Sequence, residues 1–143
     1  MGLSTLGELL KDAGLTVRDH RKLLAHSWWI SDEKTNFSKQ DKYHPWVCLD
    51  ENHPDNFSKY TACPRSTKKP KNQSEKYYIF TKAKILPKLK EPGYILIYCA
   101  RPFEERVIDS GEHIGDWPEE IKEKIRQKKN LWRRRRTQKN ETK

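Results

Sequence analysis

Short apolar runs broken by turn-forming clusters fill the middle of the chain, and they predict strands. Trp46-Val47-Cys48-Leu49 stands between Pro45 and the cluster Asp50–Asn56, the pattern of a buried strand followed by a loop. Tyr60-Thr61-Ala62-Cys63 alternates inward and outward and is expected to stop at Pro64, which has no N–H to continue a ladder. Tyr77–Thr81 is strongly β-prone, and Ala83–Leu86 either continues it or forms a separate short strand before Pro87. Pro92-Gly93 marks a turn. Tyr94–Ala100 follows as the most hydrophobic run of the chain and predicts a central strand buried on both sides. Arg101–Ile108 reads as a further edge strand, and Asp109-Ser110-Gly111 as a turn.

The two ends carry a helical period instead. Residues 4–13 place Leu6, Leu9 and Leu10 on one face, with Ser4 as N-cap and Gly14 just past the end. A second helix is expected from an N-cap at Thr16, with Val17, His20, Leu23 and Leu24 on one side. Arg18, Arg21 and Lys22 allow a helix-turn-helix, but no third helix stands nearby to support one, so the pair reads as a structural hairpin. Trp28-Trp29-Ile30 is expected to staple that hairpin, or the polar loop 31–42 after it, to the core. The last helix is expected to open with Asp116 as N-cap, Pro118 in its first turn and Glu119 at the capping-box position. Ile121, Ile125 and Trp132 mark its apolar side, and beyond about Lys128 the chain is expected to fray.

Composition narrows the picture. A chain of 143 residues suits one domain. With 35% charged and 34% hydrophobic residues its core must be modest. No apolar run approaches the ~20 residues of a membrane helix, and residues 1–15 lack a signal-peptide pattern, so a cytoplasmic protein with no membrane partner is expected. The net charge of +10 is uneven: residues 122–143 hold 11 Lys/Arg against two Glu, which leaves residues 1–121 nearly neutral. General attraction to phosphate therefore lives mainly in that tail, at Arg133, Arg134, Arg135 and Arg136. Cys48, Cys63 and Cys99 are odd in number and sit in apolar surroundings, where they act as small reduced hydrophobes. No spacing fits a familiar metal site, so neither metal nor cofactor is expected.

Candidate chemistry gathers at the strand ends. Arg65, Ser66 and Thr67 leave the strand that ends near Pro64, and Lys68, Lys69 and Lys71 follow on a loop with Glu75 as its one acid. If the two strands are neighbours, His44 at the entry of the first approaches the hydroxyls at the exit of the second. Such a pocket suits a phosphodiester, because an imidazole moves protons near neutral pH and a guanidinium neutralises phosphate oxygens.

His44-Pro45-Trp46-Val47, Pro64-Arg65-Ser66-Thr67 and the Ile114-Gly115 pair before the last helix resemble landmarks of the MazF/PemK-type toxin family, over residues 41–126. The resemblance implies a mixed, β-rich fold: a small SH3-like barrel, here with an N-terminal helical hairpin and a C-terminal helix. It divides the chain into an extension at 1–40, a barrel at 41–127 and a basic tail at 128–143. It implies an endoribonuclease that cleaves single-stranded RNA without a metal, an antitoxin protein as partner, and a homodimer. The family's arginine before proline and its threonine after the strand fall on His44 and Ser66, with Thr67 as the alternative to Ser66. Histidine in place of arginine departs from the family, and Arg65 is the nearest residue able to restore a fixed charge. A non-catalytic nucleic-acid-binding or adaptor protein built on the same barrel stands as the alternative, and a degenerate barrel that binds a protein partner as a third.

Overall fold

The computed structural model describes residues 20–37, 42–52 and 59–141, with side chains of the final helix through Arg136. Seven strands form one antiparallel sheet: β1 (His26–Ser31), β2 (Tyr43–Cys48), β3 (Lys59–Ser66), β4 (Tyr78–Thr81), β5 (Gly93–Leu96), β6 (Arg101–Glu104) and β7 (Glu112–Asp116). Their order is β4-β5-β3-β2-β1-β7, with β6 added alongside β3. Among the described residues three α-helices accompany the sheet: α1 (Asp32–Thr35), α2 (Glu105–Asp109) and α3 (Glu119–Glu141). The β-rich architecture and the C-terminal helix agree with the sequence. Among the described residues no helix is long and apolar enough to cross a membrane.

The middle strands are buried on both faces, which explains their lack of clean polar alternation. On the first face Val47, Leu49, Cys63, Ile95 and Ile97 pack with Trp117, Ile121 and Ile125 at and inside the start of α3. On the second face Trp28, Ile30, Trp46, Cys48, Tyr60 and Ala62 pack with Phe103 of β6 and Ile108 of α2.

Several expectations are corrected. Trp28-Trp29-Ile30 is no staple but the middle of β1, paired with β2 on one side and β7 on the other. The sheet thus draws in residues 26–31, ahead of the 41–127 span. Residues 4–13 lie outside the described part. The start of the second predicted helix, residues 16–19, lies outside it too; its described end is a 3-10 turn, His20–Lys22, before β1 begins. That turn is tied down by Lys22, a buried ammonium 2.6 Å from Glu105 and 2.7 Å from Asp109. Burial alone would lower its pKa, but hydrogen bonds to the two carboxylates outweigh that and raise it.

Pro64 does not end β3. Leu49 donates its N–H to the carbonyl of Thr61 at 2.9 Å, so odd residues of β3 turn their backbone groups toward β2. Pro64 turns the other way, where β3 changes neighbour from β6 (residues 59–62) to β5 (residues 65–66) and no ladder donor is required there. Tyr94–Ala100 is split: β5 ends at Leu96, and Ile97–Cys99 forms a 3-10 turn. Arg101–Ile108 is likewise β6 followed by α2, residues 83–86 form turns instead of a strand, and the polar loop 31–42 contains α1. Asp116 closes β7 and pairs with Lys122 instead of capping α3.

The basic tail is helical. α3 runs without a break to Glu141, past the expected fraying point at Lys128. Lys128 donates to the carbonyl of Tyr78 at 2.8 Å, and the buried Lys129 to the carbonyl of Leu49 at 3.2 Å and to Glu51 at 3.2 Å. Two lysines bonded to main-chain carbonyls at and beside the sheet, together with Trp132 packed against the core, hold this basic helix segment.

Candidate active site

His44 lies near the start of β2, opposite Ile30 of β1, and so on the second face. Its Nδ1 is 2.6 Å from Asp32 Oδ1. Asp32 is 1% exposed, at the first position of α1, whose N-cap Ser31 accepts a hydrogen bond from the Glu33 N–H. A carboxylate is an acceptor, so Nδ1 is the donor, and the His44 side chain remains 22% exposed. Phe37 sets its edge against both His44 and Trp46, with ring centroids 5.0 and 5.4 Å apart. Arg101 lies over Phe37 at 5.7 Å and over Trp46 at 5.4 Å, and donates to the carbonyl of Thr35 at 3.0 Å.

Two buried side-chain atoms among the described residues have no hydrogen-bond partner, Asp32 Oδ2 and Trp46 Nε1, and both belong to this cluster. Unsatisfied buried polar atoms are costly and collect where function demands them. Asp32, Phe37 and Arg101 were missed from sequence. Asp32 reads there as one more polar loop residue, and Arg101 as a solvated edge charge.

Arg65 is placed elsewhere. It is 4% exposed and points to the first face, over the Trp117 ring at 5.9 Å. Its Nε donates to Thr81 Oγ1 at 2.9 Å and its Nη2 to the carbonyl of Glu91 at 2.7 Å. Thr81 Oγ1 in turn donates a hydrogen bond to the carbonyl of Gly93 at 3.0 Å. Gly93 is required at that point, since an added Cβ would stand 2.8 Å from Arg65 Cζ and 2.9 Å from the Ser66 carbonyl. Burial lowers the Arg65 pKa, and the Glu91 carboxylate opposes that shift. The expected meeting of His44 and Arg65 therefore does not occur, because the two side chains leave opposite faces of adjacent strands.

Ser66 keeps the register with His44. The β2–β3 ladder stops at Trp46↔Pro64, and two residues further along each strand stand His44 and Ser66, on the same face by alternation. Ser66 Oγ accepts a hydrogen bond from the Lys68 N–H at 3.2 Å. Thr67 turns to the other side and, with Arg65, Trp29, Lys88 and Lys90, lines a cleft of about 370 Å³. Trp29 also lines a second cleft of about 500 Å³ with Tyr43 and Glu112, and an ion pair between Lys88 and Glu112 links the two. Lys68, Lys69 and Lys71 are exposed on the loop after Ser66, and Arg133, Arg134, Arg135 and Arg136 are exposed along α3. Cys48 and Cys63 are buried, Cys99 is half-buried, and none of the three is in a disulfide. Burial raises the Cys63 thiol well above its ordinary pKa.

The same arrangement of strands and helix occurs in solved toxin structures. An endoribonuclease in complex with its cognate antitoxin from a mycobacterial species aligns with a TM-score of 0.56 at 12% identity, over 77% of this chain and 92% of that one. MazF from Deinococcus radiodurans gives 0.56 at 15% identity, over 76% and 93%. A MazE–MazF complex from the same organism gives 0.55 at 14%, over 76% and 91%. No protein-family model and no curated protein matches the chain. The resemblance carried by His44-Pro45, Pro64–Thr67 and Ile114-Gly115 thus holds at the level of the fold, which is that of the MazF toxins.

Proposed function

We propose that the protein is a metal-independent endoribonuclease acting on single-stranded RNA, with His44 as its proton-transfer group. The observation that carries this is the pair His44–Asp32: an imidazole held through Nδ1 by a buried carboxylate, on a side chain that is itself 22% exposed. In RNA cleavage the 2′-oxygen attacks the adjacent phosphorus as it loses its proton. The 5′-oxygen leaves as it gains one, and a 2′,3′-cyclic phosphate remains. Nε2 of His44 serves one of these transfers. Ser66 Oγ, on the same face, holds a non-bridging oxygen, with Thr67 as the alternative hydroxyl. Arg101, on the far side of Phe37, supplies the fixed positive charge that Arg65 cannot, while Arg65 holds the end of β3 in place. Lys68, Lys69 and Lys71 guide the strand by its phosphates.

Purified protein incubated with end-labelled RNA in excess EDTA should give fragments ending in 2′,3′-cyclic phosphate, and the His44→Ala protein should not. Intact RNA after incubation with unaltered protein defeats the reading. One observation favours a second reading, a non-catalytic RNA-binding protein: Arg65, the sequence's candidate for the fixed cation, faces away. Binding without fragments would select it. Two of the similar structures hold an antitoxin, and we propose one for this chain too, together with a homodimer. Co-expression with a neighbouring small protein and light scattering of the purified chain test these in turn.

A further inference from the structure

We propose that the cleft at the C-terminal part of α3 is a second RNA site, which holds one nucleotide of a single strand away from the His44 centre. The proposal rests on the RNA reading above and goes beyond a general anchoring role for the arginines. The cleft is about 350 Å³ and is lined by Gln73, Tyr98, Trp132, Arg135 and Arg136. No carboxylate is among these residues. Tyr77 and Trp132 meet edge to face at 5.3 Å, and Arg135 is laid across both, 5.1 Å from one ring and 5.6 Å from the other. That stacking takes Arg135 out of the pool of freely moving surface cations and gives it one place.

The chemistry of this set matches a nucleotide in each of its parts. The half-exposed Trp132 offers a ring face for a base, Gln73 carries both a donor and an acceptor for a base edge, and Arg135 and Arg136 suit the phosphate. An acidic peptide would use the arginines but leave the ring face and the amide without a role. The cleft is also rigidly mounted, because Lys128 and Lys129 bond the preceding turn of α3 to main-chain carbonyls of the sheet. Its route to the catalytic face is continuous: Gln73 lies on the loop that leaves Ser66 through the exposed Lys68, Lys69 and Lys71. One strand of RNA running along this loop would reach both places.

The experiment uses the full chain carrying His44→Ala, so that RNA is not consumed, and measures affinity for fluorescein-labelled oligouridylate of about 12 nucleotides, within the range such sites span. Added Arg136→Ala and Gln73→Ala should each weaken binding about 3- to 10-fold, and Trp132→Ala by tenfold or more. The Arg136→Ala protein should also show a salt dependence shallower by about 0.7 in log K against log salt. Trp132 packs against the core, so the exposed Arg136 and Gln73 decide the question if that variant folds poorly. Unchanged affinity and slope in both overturn the proposal, as does a cleft that takes an acidic peptide while RNA affinity stays unmoved. Cleavage is scored separately on the unaltered chain. An Arg136 and Gln73 effect without any cleavage sinks the ribonuclease reading and supports this one.

Discussion

On one face of the sheet a buried carboxylate holds a partly exposed histidine by one ring nitrogen. On the opposite face a hydroxyl and a main-chain carbonyl hold an arginine that is almost wholly covered. His44 and Arg65 occupy corresponding ends of adjacent strands, so their environments differ only because the strands alternate. The His44 cluster carries two buried polar atoms without a protein partner, Asp32 Oδ2 and Trp46 Nε1, a feature that costs stability. The Arg65 cluster is a closed network in which hydroxyl, carbonyl, glycine and tryptophan each have a place, features that gain stability. The proposed chemistry uses the first of these faces, and the second is a closed structural network.

The sharpest way to break this contrast is Arg65→Ala. It leaves the Glu91 carbonyl without its donor and a cavity beneath Trp117, and should cost about 3–5 kcal/mol of folding stability. Urea unfolding measures it, and a cost below about 1 kcal/mol would mean that Arg65 is free for another role. Next in size is His44→Ala, expected to slow cleavage about 100-fold, or about 2.7 kcal/mol in the barrier, with the urea midpoint little changed. If His44→Ala unfolds the protein and Arg65→Ala silences it, the roles of the two faces are reversed.

Asp32→Asn sharpens the comparison further. The amide keeps the shape but no longer anchors Nδ1–H as a charged acceptor, so kcat should fall about tenfold with KM unchanged and the pH–rate profile displaced. A simple loss of stability with an unmoved profile would make Asp32 a packing residue. The smallest effect concerns Glu51, whose pKa is lowered by the hydrogen bond from Arg126, burial opposing, with Lys129 adding to it. A depressed carboxylate stabilises the fold above its ordinary pKa, and that contribution drains away as pH falls through the folded value. Arg126→Ala should therefore lower Tm slightly near neutrality, leave it unchanged at pH low enough to protonate Glu51, and so flatten the decline between the two. An unaltered acid limb would remove Glu51 from the account.

The fold was largely legible because β2, β3, β4 and the start of α3 keep their hydrophobic pattern in the linear sequence. β1 was hidden for a physical reason. Trp28, Trp29 and Ile30 point to two different cores, so no polar alternation marks them as a strand. Pro64 misled because whether a missing N–H matters depends on what stands beside it. The tail misled because its helix is held by Trp132 and by lysines reaching carbonyls of residues far away in sequence. In the site, His44 and Ser66 could be named from their motifs. Which face each side chain takes depends on the register of β2 against β3, and Asp32 comes from a stretch whose burial nothing local announces.

β3 has a consequence beyond the site. It pairs with β2 along one edge and with β6 and then β5 along the other, and it sends side chains into both hydrophobic clusters. Neither cluster can come apart while the other stays whole, so the two should melt as a single cooperative unit. Amide protons of residues 61–63 and of Arg65 would then be among the slowest to exchange with deuterium. Because its neighbours are drawn from residues 43–48, 93–96 and 101–104, the strand that joins everything must also wait for distant parts of the chain, and refolding should be slow for a protein of this size.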